Sequence, residues 1–142
     1  MPEYLSNQLR KRVAARAAFI CEYCLVHEDD MYSGYQIDHV ISLKHGGTSD
    51  FGNLAYACAF CNVYKGTDVG SIVFPSGQFT CLYNPRSDRW LDHFAVEGSI
   101  IVPLTEIGQA TIDVLQLNHS RRLPIRELLI QQGRYPNLIP TN

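Results

Sequence analysis

The chain has 142 residues, 46% of them hydrophobic and 18% charged, with a formal net charge of -2. This is the composition of an ordinary globular protein, here expected as a single domain over 1–142, whose core is modest enough for a metal staple to matter. It excludes a membrane helix, because no run approaches the ~18 apolar residues that a span requires. It also argues against a protein that coats nucleic acid by bulk charge. The opening MPEYLSNQLRKR has no apolar h-region. No signal peptide is expected, and the expected location is cytoplasmic.

Residues 6–18 predict a helix. Ser6 or Asn7 can cap it, and Leu9, Val13 and Ala17 recur on one face. This helix also carries the basic cluster Arg10, Lys11, Arg12 and Arg16; a second cluster, Arg121, Arg122 and Arg126, lies near the other end. Each reads as a local basic face or as ordinary solvated surface. Residues 35–41 predict a strand, 44–53 a glycine-rich loop, 54–57 a short strand, and 60–66 a short helix stopped by Gly66. Further strands are expected at 78–83, 90–96 and 99–102. Thr105 caps a helix over about 106–117. Pro124 and Gly133 bracket a last helix, and the tail beyond Pro136 reads as loose.

Of the five cysteines, Cys21, Cys24, Cys58 and Cys61 form two C-x2-C knuckles separated by 33 residues. Each knuckle lets two thiolates reach one ion, and four thiolates leave no open coordination position. The pattern therefore predicts a structural zinc rather than a catalytic one. Disulfides or a redox dithiol are the alternative, weakened by the expected compartment. In QFTCLYN, Phe79, Cys81 and Tyr83 alternate with Gln78, Thr80 and Leu82, so Cys81 reads as a small core residue of a half-buried strand.

Between the knuckles lies a set of polar residues. Asp38-His39 sits on a strand, Asn53 closes the glycine-rich loop, and Asn62 follows the last cysteine. Lys65 shares a helix face with Asn62. The motifs CEYC (21–24), IDHV (37–40), GGTSDFGNL (46–54) and CAFCNVYKG (58–66) together resemble the HNH endonucleases, the ββα-metal nucleases whose zinc-stapled members carry paired C-x2-C knuckles. One departure is Ser42, where many members have proline shortly after the Asp-His pair.

The resemblance implies an α+β fold. Its ββα-metal core, about 19–67, is stapled by the four-cysteine zinc site, with an N-terminal helix and a mixed α/β extension over about 68–136. It further implies that His39 is the general base, Asp38 and Asn62 ligate a catalytic Mg2+ or Mn2+, and Asn53 braces the loop. Elementary chemistry suits these roles. Phosphodiester hydrolysis needs a base for the attacking water and a cation for the phosphate and the departing 3'-oxygen. Carboxylate and amide oxygens suit hard ions as thiolates suit zinc.

Lys65 is expected to contact phosphate, with a solvated helix end as its plainer role. His45 reads as surface. In the extension, Arg86, Arg89 and His93 are placed to reach a phosphate backbone. The plainer reading there has Trp90 and Phe94 covering the core and Arg86 paired with an acid. The function this predicts is metal-dependent hydrolysis of nucleic acid, with DNA as the expected substrate. The alternative is a non-catalytic zinc-stabilised module that binds DNA or protein. Oligomeric state is not legible.

Overall fold

The computed structural model describes residues 5–138. Helix α1 spans Asn7–Arg16, and the Ser6 hydroxyl caps it by accepting from the Leu9 amide at 3.1 Å. The chain then turns through Cys21 and Cys24 into strand β1, Gln36–His39. A stretch containing two 3-10 turns leads to β2, Leu54–Ala57, which pairs antiparallel with β1 so that Asp38 faces Ala55 and His39 faces Leu54. All four residues of β2 are buried. Helix α2, Ala59–Lys65, follows at once, with Cys58 as its N-cap and Gly66 at φ +52° ending it. A β-branched or bulky residue would resist that backbone conformation. Strand, strand and helix, built on the cysteine knuckles, make the expected ββα unit, and the whole is a mixed α/β fold with small antiparallel sheets.

The extension adds two more hairpins, β3 (Gly70–Val73) with β4 (Gln78–Cys81), and β5 (Phe94–Glu97) with β6 (Ile100–Pro103). A short helix, α3 (Trp90–His93), precedes β5. Helices α4 (Glu106–Leu115) and α5 (Leu123–Gln131) complete the chain. Helix α4 packs against α2, β3 and β6, and so ties the extension to the ββα unit. The indole of Trp90 donates to the Tyr23 carbonyl at 2.9 Å and lies 4.8 Å from the Phe94 ring, so the extension also covers the first knuckle. Among the described residues, no helix is long and apolar enough to cross a membrane.

The structure departs from expectation in four places. Residues 90–93 form a helical turn rather than the start of a strand. A helical turn places Trp90 and Phe94, four residues apart, on one buried face and leaves Asp92 exposed, whereas a strand would have carried Asp92 inward with them. Strand β3 was not expected at all. Cys81 is exposed: the alternation expected of β4 exists, but Phe79 and Cys81 share its outer face while Thr80 turns inward. At the C-terminus, Asn137 donates to the Leu25 carbonyl at 2.9 Å, so the tail is fastened at least to that residue; residues 139–142 lie outside the described residues.

Candidate active site and metal centre

The four knuckle cysteines are buried, and their sulfurs all lie within 4.8 Å of one another. A tetrahedral zinc with Zn–S bonds of about 2.3 Å places its sulfurs roughly 3.8 Å apart. The Cys24 and Cys58 sulfurs are 3.8 Å apart. The donor set is all thiolate, leaves no open position and is closed to solvent, so it fits a structural zinc. The Cys58 sulfur also accepts from the Cys61 amide at 3.4 Å, which makes the α2 helix start and the metal knuckle one feature.

Strand alternation separates Asp38 from His39. Asp38 points inward and is 4% exposed. Its carboxylate accepts from the Tyr23 hydroxyl at 2.6 Å and meets the Lys65 ammonium at 3.1 and 3.2 Å. Burial pushes the Asp38 carboxyl above the usual carboxylate range, and the Lys65 charge pulls it back. The Tyr23 hydroxyl is pushed well up, by burial first and then by the neighbouring Asp38.

Lys65 does not reach out to phosphate. It is 1% exposed, and besides Asp38 it donates to the carbonyls of His39 at 3.0 Å and Val40 at 3.1 Å. The face of α2 that carries it packs on β1, and an ammonium buried there must be fully paired. The expected phosphate contact is thus corrected to an internal clamp between α2 and the end of β1.

His39, on the opposite side of β1, is partly exposed, and its Nε2 lies 2.8 Å from the Ser49 hydroxyl. Asn53 closes the loop between them. Its side-chain oxygen accepts from the Ile41 amide at 2.9 Å, and its side-chain nitrogen donates to the Ile41 carbonyl at 2.9 Å and the Thr48 carbonyl at 2.7 Å. The Asn53 carbonyl also accepts from the Val40 amide at 2.9 Å. Gly47 is required by this closure, since a Cβ there would sit 1.7 Å from the Ile41 carbonyl oxygen. Asn62 lies at the second turn position of α2, and its side-chain amide has no hydrogen bond among the described residues.

Several participants were missed from sequence. Tyr23 sits between two zinc ligands, where an aromatic reads as core. Ser49 is one hydroxyl in a polar loop, and nothing local distinguishes it. Glu22 is buried and paired with Arg86, which is thereby taken up internally; Glu22 also accepts from the Tyr56 amide at 2.7 Å. His93 shares a hydrogen bond of 2.6 Å with Thr105. The C-terminal basic cluster is not a face either: Arg122 and Arg126 are buried, and Arg121 alone of the three is exposed. The N-terminal cluster stays largely outside. Arg10, Lys11 and Arg12 are exposed, with the Arg12 guanidinium 4.3 Å from the centre of the Phe51 ring.

Residues 21–68 match the family model described as HNH endonuclease. The match covers the knuckles, both strands of the ββα unit and α2. Comparison with curated proteins and with solved structures found no match.

Proposed function

We propose that this chain, whose residues 21–68 carry an HNH endonuclease segment, is an endonuclease that hydrolyses phosphodiester bonds in DNA, with His39 as the general base. The observation that carries the proposal is the setting of His39. Its Nε2 is held by Ser49, its loop is stapled by Asn53, and its main chain is clamped by Lys65. With the Nε2 proton donated to the Ser49 hydroxyl, the neutral imidazole keeps a lone pair on Nδ1. That nitrogen has no hydrogen-bond partner among the described residues. It is the atom that takes the proton of the attacking water. Ser49 and Asn53 position the ring, and Lys65 positions the strand end that carries it. Cleavage releasing a 5'-phosphate is the outcome the HNH resemblance implies.

A divalent Mg2+ or Mn2+ would supply neutralisation of the phosphate and of the leaving oxygen. Asn62 offers such an ion a free amide oxygen. Asp38 as it stands does not fit the ligand role, because its carboxylate is buried and engaged by Tyr23 and Lys65. No step is therefore assigned to Asp38 as a metal ligand. Its role here is to hold Lys65 under the His39 strand.

The test is plasmid cleavage by the zinc-loaded protein with Mg2+ or Mn2+, and with a chelator of those ions. Wild type is expected to cut only with the divalent ion, and His39→Ala to lose about 10²–10⁴ in rate. Equal cutting by both proteins removes His39 from the mechanism. A folded, zinc-loaded wild type that binds DNA without cutting it supports a zinc-stabilised binding module instead.

A further inference from the structure

The C-terminal segment carries a charge into the zinc centre. Arg122 immediately precedes α5 and is 4% exposed. One of its terminal nitrogens donates to the Cys61 sulfur at 3.1 Å and lies 3.8 Å from the Cys58 sulfur. The other donates to the Leu115 carbonyl at 3.0 Å, at the end of α4. The guanidinium thereby spans the space between the last turn of α4 and the second knuckle, with the Phe60 ring 5.3 Å away. A zinc ion held by four thiolates carries a net charge of about -2, and such a cluster inside a protein needs donors and counter-charge on its sulfurs. Among the described residues, Arg122 is the cationic side chain bonded to them.

The same segment then reaches the first knuckle. The Tyr135 hydroxyl donates to the Cys24 carbonyl at 2.8 Å, and the Asn137 amide donates to the Leu25 carbonyl at 2.9 Å. Arg134 pairs with Asp30 at 2.8 Å, just beyond that knuckle. Residues 122–137 therefore run from one half of the zinc site to the other. Met31, Phe60 and Ile125 line the small cavity that remains between them.

We propose that residues 122–137 form a clasp over the zinc centre, with Arg122 as the counter-charge of the zinc–thiolate cluster, so that zinc retention and docking of the C-terminal segment depend on each other. Loss of the ion to a chelator, with protons from water taken up by the freed sulfurs, removes the anionic partner of a buried guanidinium. The clasp then releases while β5 and β6 stay paired. This inference does not rest on the nuclease reading, since zinc and backbone protection report on it without cleavage.

The experiment uses the full zinc-loaded chain, measuring transfer of zinc to a coloured chelator together with amide hydrogen exchange. Arg122→Met keeps the aliphatic stem and removes the charge. It is expected to release zinc about 10- to 100-fold faster and to raise exchange across 123–137. Arg122→Lys, with charge but no fork, is expected to fall between Arg122→Met and wild type. Zinc release from Arg122→Met at the wild-type rate overturns the proposal. Should that variant fail to fold, wild type decides. Stripped of zinc, it should lose protection in 123–137 at the rate of zinc loss and ahead of β5 and β6. A segment that stays protected, or opens only together with those strands, refutes the clasp.

Discussion

Replacing Lys65 by methionine tests the internal clamp directly. Methionine keeps the length and apolar stem of the side chain but removes the ammonium. Asp38, 4% exposed, would be left with Tyr23 alone, and the carbonyls of His39 and Val40 would each lose a donor. Removing one partner of a buried ion pair costs about 3–5 kcal/mol. A second estimate sets a ceiling on the charge part. The carboxyl can escape its charge by taking a proton, and protonating an ordinary aspartate at pH 7 costs about 4 kcal/mol.

The two figures agree. For a chain of this size they correspond to a melting temperature lowered by roughly 10–15 °C. Asp38→Asn in the Lys65→Met background removes the stranded charge and keeps an acceptor for Tyr23, so the double variant should recover at least about 2 kcal/mol of the loss. Thermal melts of the four zinc-loaded proteins, followed by near-UV circular dichroism, give the full cycle. A Lys65→Met protein melting within about 2 °C of wild type, or a double variant whose losses simply add, would show that the pair is not the clamp described.

Cys58→Ser should lose zinc on dialysis and melt far below wild type, because it removes a metal ligand and the α2 cap together; one zinc per chain with an unchanged melt contradicts this. Asn53→Ala removes three hydrogen bonds to the loop backbone and should cost about 2–3 kcal/mol at ~1 kcal/mol each, with slower cleavage as the His39 loop loosens. Chemical denaturation and the plasmid assay measure the two effects, and an unaltered midpoint would refute the staple. Gly47→Ala should be worse for the loop than Asn53→Ala, since its Cβ meets backbone that cannot move aside. Equal stability of Gly47→Ala and wild type would mean that the loop closes differently.

Much of the ββα unit was legible because its signals are local. Ser6, Gly66 and Thr105 act on backbone groups within a few residues, so these helix limits could be placed from sequence alone. The alternation of β1 likewise separates Asp38 from His39 without any knowledge of what each meets. The misread segments are those where a local pattern has two tertiary solutions. Residues 90–96 alternate well enough for a strand, yet Trp90 and Phe94 meet only through a helical turn. The alternation of β4 was visible, but which of its faces is covered depends on α4.

Spacing alone determined that the sulfurs within each knuckle meet, because a C-x2-C turn brings its two sulfurs together whatever the rest of the chain does; that the two knuckles share one site was decided by the fold. Tertiary packing decided where the charges go. Lys65, Arg122 and Arg126 all read as candidates for solvent or phosphate, and each is drawn inward to an acid, a carbonyl or a sulfur; Arg86 pairs with an acid, as its plainer reading has it. The physical reason is that a charge is buried only where a partner from distant sequence offsets its lost hydration. Those partners lie as far off as Asp38 from Lys65 or Cys61 from Arg122, beyond the reach of any local pattern.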